Sequence, residues 1–140
     1  YGMAGIRLGI GFAHPGIIDF FNKIKPPYNI NVLTQKKALS VFNLTDVLER
    51  QVRTLIGERN KMKEKLMSIG FVKKIYPSDA NFLLVLVDDA KKRYDQFLEL
   101  GIVVRSRSSL AGCANTLRVT IGTPKENITF INACKTIDQS

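Results

Sequence analysis

Three arginines occupy positions where a cation needs an anionic partner. Arg7 lies between Ile6 and Leu8 in a glycine-rich opening stretch, Arg105 closes an apolar Ile-Val-Val run, and Arg118 lies inside Leu-Arg-Val-Thr-Ile. A desolvated guanidinium is costly without an anion, and its planar donors match the paired oxygens of carboxylate and phosphate. The arginines therefore indicate an anionic ligand. The alternative, surface arginines that reach solvent or pair with a neighbouring acid, stays open at this level.

The other polar residues indicate less chemistry. Cys113 and Cys134 lack paired-ligand spacing and His14 is the only histidine, so we expect no metal site. His14 precedes Pro15, an arrangement typical of a helix start rather than of catalysis. Gly9 and Gly11 lack the third glycine of a dinucleotide-binding loop.

Length and composition are those of a globular domain. The chain has 140 residues, of which 45% are hydrophobic, and no apolar run approaches the roughly 20 residues of a membrane helix. The two cysteines suggest no disulfide framework, which favours the cytoplasm. Neither an initiator methionine nor a signal peptide is visible, and we expect the chain to be a piece of a longer protein.

The formal net charge of +9 is the one compositional oddity. Basic and acidic residues alternate along 58–65, as on a solvated helix face, and no nucleic-acid-binding motif accompanies them. We therefore expect neither nucleic-acid nor membrane partners. A non-catalytic basic module that binds an anionic partner or nucleic acid remains the alternative from another functional class.

The first half of the chain predicts one strand followed by helices. The strand covers 6–13 and is expected to be buried, and the helices cover 16–24, 32–42 and 43–69. Thr45 is the predicted N-cap of the long third helix, whose apolar residues recur at three- and four-residue spacing. Prolines at 26 and 27 mark a domain boundary, with 1–28 and 29–140 on its two sides.

The second half alternates strands with helices. Strands are predicted at 71–76, 81–87, 102–105 and 117–121, and helices at 90–100 and from Pro124 onward, with Thr123 as its cap and 106–116 as a loop. The near-continuous apolar run at 81–87 predicts a strand covered on both faces. The order predicts an open sheet backed by helices, in the α/β or α+β class, with a long helix leading in.

Two motifs carry a resemblance to a known family. The segment Tyr-Gly-Met-Ala-Gly-Ile-Arg-Leu-Gly (1–9) resembles the stretch after the cofactor lysine of fold-type I, pyridoxal-phosphate-dependent aminotransferases, which reads Ala-Gly-Leu/Ile-Arg-x-Gly. The segments 103–109 and 117–127 are similar to the C-terminal end of the histidinol-phosphate aminotransferase subfamily, and 23–29 and 78–82 also fit it. The resemblance runs over essentially the whole chain.

The resemblance implies a role for each arginine. Arg7 matches the residue that binds the phosphate of pyridoxal 5'-phosphate. Arg118 matches the residue that holds the anionic group of the substrate, and Arg105 a helper in that role. The implied reaction exchanges an amino group between L-histidinol phosphate and 2-oxoglutarate, with glutamate as the other amino acid, in histidine biosynthesis.

The resemblance also implies what this chain lacks. The Schiff-base lysine lies just before Tyr1 in the family pattern, so the chain contains no catalytic residue and is expected to be inactive alone. The parent enzyme is expected to be a cytoplasmic homodimer. In this pattern 1–28 is the last strand and helix of the large domain, and 29–140 is the small domain. The enzyme alternatives are related enzymes acting on aromatic amino acids or on threonine phosphate.

Overall fold

The computed structural model describes residues 2–42 and 44–139. Tyr1, the first residue of the opening motif, and Asn43, the predicted start of the long helix, lie outside the described residues. The chain divides into two compact units, Tyr1–Arg50 and Gln51–Ser140. None of the helices in the described part is long and apolar enough to cross a membrane.

The first unit is helical. A short 3-10 turn, Ala4–Ile6, is followed by α1 (Pro15–Ile24), by α2 (Val32–Phe42) and by the beginning of α3 (Thr45–Leu66), which continues into the second unit. The predicted helix start at His14 is confirmed, because its Nδ1 accepts a hydrogen bond from the Gly16 amide at 3.3 Å.

Two predictions for this unit are wrong, as is the predicted end of α3 in the second unit. Residues 7–13 form no strand and most are exposed, because no described segment pairs with them and an extended chain needs a neighbour for its backbone groups. Thr45 is the first residue of α3 rather than its N-cap, since the Leu44 carbonyl accepts from the amides of Val47 and Leu48. The helix also ends earlier than predicted, at Leu66, where tighter turns take over.

The second unit contains an antiparallel sheet and two further helices. In chain order its elements are β1 (Val72–Ile75), β2 (Phe82–Val87), α4 (Ala90–Glu99), β3 (Arg105–Ser106), β4 (Thr116–Thr120) and α5 (Pro124–Asp138). The strands lie in the order β1-β2-β4-β3, and each neighbouring pair is antiparallel. This arrangement confirms the predicted open sheet backed by helices.

The sheet is covered on one face. Along β2 every second residue is buried and the others are half-buried, which is the period of two that a sheet with one covered face produces. The prediction that this strand is covered on both faces is therefore wrong, although six consecutive apolar residues suggested it. The buried side chains of β2 and β4 pack with α4 and α5 and with the end of α3, and Phe97 of α4 stacks on Phe130 of α5 at 5.1 Å.

The third strand is displaced from its predicted position. Residues 102–104 form no ladder, and β3 contains only Arg105 and Ser106. The cause is the end of α4, where Gly101 has a positive φ of 72° and the Ile102 amide donates to the Phe97 carbonyl. This hydrogen bond closes the end of α4 and keeps the following residues close to the helix. The chain therefore enters the sheet at Arg105, later than the apolar run 102–104 suggests.

The turn between β4 and α5 is stabilised by three side chains. Thr123 and Glu126 form the predicted helix cap as a reciprocal capping box, and a Cβ on Gly122 would lie 2.8 Å from Glu126 Oε2. Buried Asn127 accepts from the Gly122 amide at 2.9 Å and donates to Glu58 Oε2 at 3.0 Å. The hydrogen bond from Asn127, and then that from Lys61, lower the pKa of Glu58, so α3 presents a carboxylate to this turn.

We expect Asn127→Ala to lower the free energy of unfolding by about 3 kcal/mol, because it removes these hydrogen bonds and leaves the buried Glu58 carboxylate short of a donor. Asn132→Ala is the matched control. Asn132 is an exposed residue of the same helix, and its loss should cost less than about 0.5 kcal/mol. Urea denaturation of the chain measures both, and equal costs for the two variants would contradict the proposed role of Asn127.

Candidate anion-binding site

The open face of the sheet carries the two strand arginines. Arg118 of β4 lies opposite Leu84 of β2 on one side and opposite Arg105 of β3 on the other. Because residues directly opposite one another point to the same face, these three side chains form a row across the sheet. The structure thus brings together two of the three arginines selected from the sequence.

Arg118 has an incomplete set of partners. Its Nε is buried and makes no hydrogen bond with any residue that the structure describes, and the guanidinium carbon lies 5.3 Å from the centre of the Phe82 ring. Burial lowers the pKa of Arg118, and the positive charges of Arg107 and then Arg105 lower it further. The guanidinium thus has one donor that no described residue satisfies.

Arg107 lies on the same face and was missed at the sequence level, where 106–116 is a predicted loop. The Arg107 amide donates to the Thr116 carbonyl at 2.9 Å, so the pairing with β4 continues one residue beyond β3. Residues two apart along a strand share a face, which puts Arg107 beside Arg105. The sequence signal for Arg107 was the Arg-Ser-Arg alternation, which places two arginines on one face of a strand. This signal could be used only once β3 had been located correctly.

The three arginines have no acidic partner in the described part of the chain. The ion pairs described there join Lys61 to Glu58, Lys91 to Asp95 and Arg93 to Asp88, and none reaches the open face. The surface-pairing alternative for Arg105 and Arg118 is therefore not supported. Beside the cations, the same face presents the half-buried apolar residues Phe82, Leu84 and Leu86. Such a surface suits a ligand with an anionic group and an apolar body.

Arg7 lies in the other compact unit. It closes the 3-10 turn in the left-handed conformation, with φ of 58°, and its amide donates to the Ala4 carbonyl at 3.2 Å. Its side chain is exposed and makes no hydrogen bond or ion pair with another described residue. A Cβ added at Gly5 or Gly9 would meet nothing within 4 Å, so this unit leaves open space on both sides of Arg7.

The remaining candidates have structural roles. Cys134 is fully buried in the core, and burial raises its pKa to about 12, so it is not a thiolate. Cys113 is half-buried and unpaired. Across residues 2–42 and 44–139, no three His, Cys, Asp or Glu side chains are grouped as metal ligands.

Known proteins resemble this chain over nearly its whole length. The family model for aminotransferase class I and II matches residues 1–134. A curated relative, the histidinol-phosphate aminotransferase of Christiangramia forsetii, is 51% identical over 138 residues, which are 99% of this chain and 39% of that protein. The chain therefore spans about two fifths of the length of the curated relatives it matches.

Solved structures share the fold. The crystal structure of the histidinol-phosphate aminotransferase from Clostridium acetobutylicum superposes with a TM-score of 0.91 at 29% identity, covering 99% of this chain and 42% of that one. The Sinorhizobium meliloti histidinol-phosphate aminotransferase, solved with pyridoxal 5'-phosphate, has a TM-score of 0.86 at 21% identity, covering 99% and 38%. At that identity the second likeness concerns the fold alone.

We expect Arg118→Met to raise the free energy of unfolding by about 1 kcal/mol. Removing the unsatisfied buried donor should gain about 1–3 kcal/mol of stability. Losing the contact between the guanidinium and the Phe82 ring should cost about 0.5–1 kcal/mol. Arg105→Met, at the exposed position opposite, should change stability by less than about 0.5 kcal/mol. Urea denaturation in phosphate-free buffer tests this, and a destabilised Arg118→Met variant would contradict it.

Proposed function

Because the chain belongs to the aminotransferase class I and II family, we propose that it forms the C-terminal part of a histidinol-phosphate aminotransferase. The parent enzyme exchanges an amino group between L-histidinol phosphate and 2-oxoglutarate, in histidine biosynthesis. The observation that carries this proposal is the unpaired Nε of Arg118, opposite Arg105 on an open apolar face. The Christiangramia forsetii relative that supports it is a histidinol-phosphate aminotransferase and aligns with 99% of this chain.

The two strand arginines bind the anionic group of each substrate. In one half-reaction this group is the phosphate of histidinol phosphate, and in the other it is a carboxylate of glutamate. Arg118 donates from its unpaired Nε, and Arg105 adds a second cation from the exposed edge strand. Partial burial of Arg118 excludes water from the contact, which strengthens the attraction and fixes the orientation of the substrate.

Pyridoxal 5'-phosphate is the proposed cofactor, and when bound it supplies an electron sink for the carbon that exchanges the amino group. The residues of the first unit fit its phosphate. Arg7 is exposed and makes no described side-chain hydrogen bond or ion pair, and open space beside Gly5 and Gly9 lets an anion approach the backbone. Arg7 therefore holds the phosphate in this proposal.

The organisation of the parent enzyme is part of the proposal. Residues 1–28 belong to the large cofactor-binding domain and 29–140 form the small domain, and the enzyme is a cytoplasmic homodimer without nucleic-acid or membrane partners. The lysine that bonds to the cofactor is supplied by the rest of the enzyme. The isolated chain is therefore inactive.

Histidinol phosphate should be the preferred amino donor of the full-length enzyme, by at least about tenfold in kcat/KM over phenylalanine, because phenylalanine offers Arg118 and Arg105 a singly charged carboxylate in place of a phosphate. Steady-state assays with 2-oxoglutarate as acceptor measure this. The isolated chain with added cofactor is the control and should show no turnover.

Three results would contradict the proposal in different ways. A preference for phenylalanine would favour an aromatic aminotransferase. Decarboxylation of threonine phosphate without amino transfer would favour the decarboxylase alternative. Absence of turnover, together with salt-sensitive binding of nucleic acid, would favour the basic binding module.

A further inference from the structure

Three arginines, not two, lie at positions on the open face of the sheet. Arg105 and Arg118 are directly opposite, and Arg107 lies one step further along the edge strand, fixed by its backbone hydrogen bond to Thr116. Directly opposite side chains have Cβ atoms about 5 Å apart, and diagonal neighbours are about 7–8 Å apart. Arginine side chains are long enough to reach a common point from such positions.

The positive charges of Arg105, Arg107 and Arg118 are not balanced by acidic side chains in the described part of the chain. Arg107 is half-buried, and its side chain makes no hydrogen bond or ion pair in the described part of the chain. Its positive charge acts on Arg118 more strongly than that of Arg105 does. Keeping three like charges together is unfavourable, and one bound anion that contacts all three removes this repulsion.

We propose that Arg107 is a third anion-binding residue, and that it makes this site prefer a dianionic phosphate ester to a monoanion. The proposal rests on the proposed function and adds to it a residue that determines specificity. Arg118 and Arg105 suffice to bind the single charge of a carboxylate. The third cation matters most for a phosphate monoester, which carries close to two negative charges above its second pKa of about 6.

The size of the preference follows from the charge of the ligand. Removing one charge-assisted hydrogen bond to a dianion costs about tenfold in affinity. The Coulomb interaction is proportional to the ligand charge, so the same removal costs a monoanion of the same shape about threefold. The phosphate and sulfate esters of histidinol form such a pair, because both end in a tetrahedral group with three free oxygens.

The test uses the full-length cofactor-loaded enzyme and its Arg107→Gln and Arg107→Lys variants. Equilibrium titration measures the Kd of each ester at pH 8. Arg107→Gln should weaken binding of the phosphate ester about tenfold and of the sulfate ester about threefold, whereas Arg107→Lys, which keeps the charge, should retain most of the difference. Lys92→Gln removes an exposed cation from α4, on the covered side of the sheet, and should change both Kd values less than twofold.

The outcomes separate the inference from the proposed function. Equal losses for the two esters in Arg107→Gln, or no loss in either, would overturn the role of Arg107 while leaving the proposed function intact. If Arg107→Gln does not fold, Arg107→Met, which also removes the charge, takes its place and is judged by the same two outcomes. A wild-type enzyme that binds neither ester overturns both proposals.

Discussion

The hydrogen-bond register between β2 and β4 determines which face of the sheet carries Arg118. Leu83 lies opposite Val119 and Val85 opposite Leu117, and all four are buried. Burying each such side chain contributes roughly 1.5–3 kcal/mol. A slip by one residue would turn all four outward and force the guanidinium into the apolar core. Core packing therefore fixes the register, and the register places the arginines on the open face.

The arginine site contributes little to the stability of the fold, which depends instead on the packing of the core around it. The unpaired Arg118 Nε and the neighbouring like charges are unfavourable in the absence of an anion. The strand that carries Arg118 is secured at its end, because Asn127 joins the following turn to Glu58 of α3. A rigid scaffold around an unsatisfied cation is the arrangement that anion binding requires, because the protein has little to reorganise when the ligand arrives.

Most local signals in the sequence were reliable, although Thr45 lies inside α3 rather than at its N-cap. The cap at Thr123 and the helix start at His14 depend on neighbouring residues and were predicted correctly. The one-sided cover of β2 depends on strands and helices far away along the chain, which a run of six apolar residues does not specify. Arg105 and Arg118 were identified by type, but the role proposed for Arg107 became visible only when the end of α4 had displaced β3.

The central claim, that the unpartnered Nε–H of Arg118 binds an anion, can be tested through its resonance in the chain. Adding inorganic phosphate at constant ionic strength should shift this resonance saturably downfield, because the Nε gains its first acceptor. The Nε–H of Arg93 already donates to Asp88 at 2.9 Å and should not move. An Arg118 resonance that stays unchanged, or that shifts only in parallel with that of Arg93, would contradict the account.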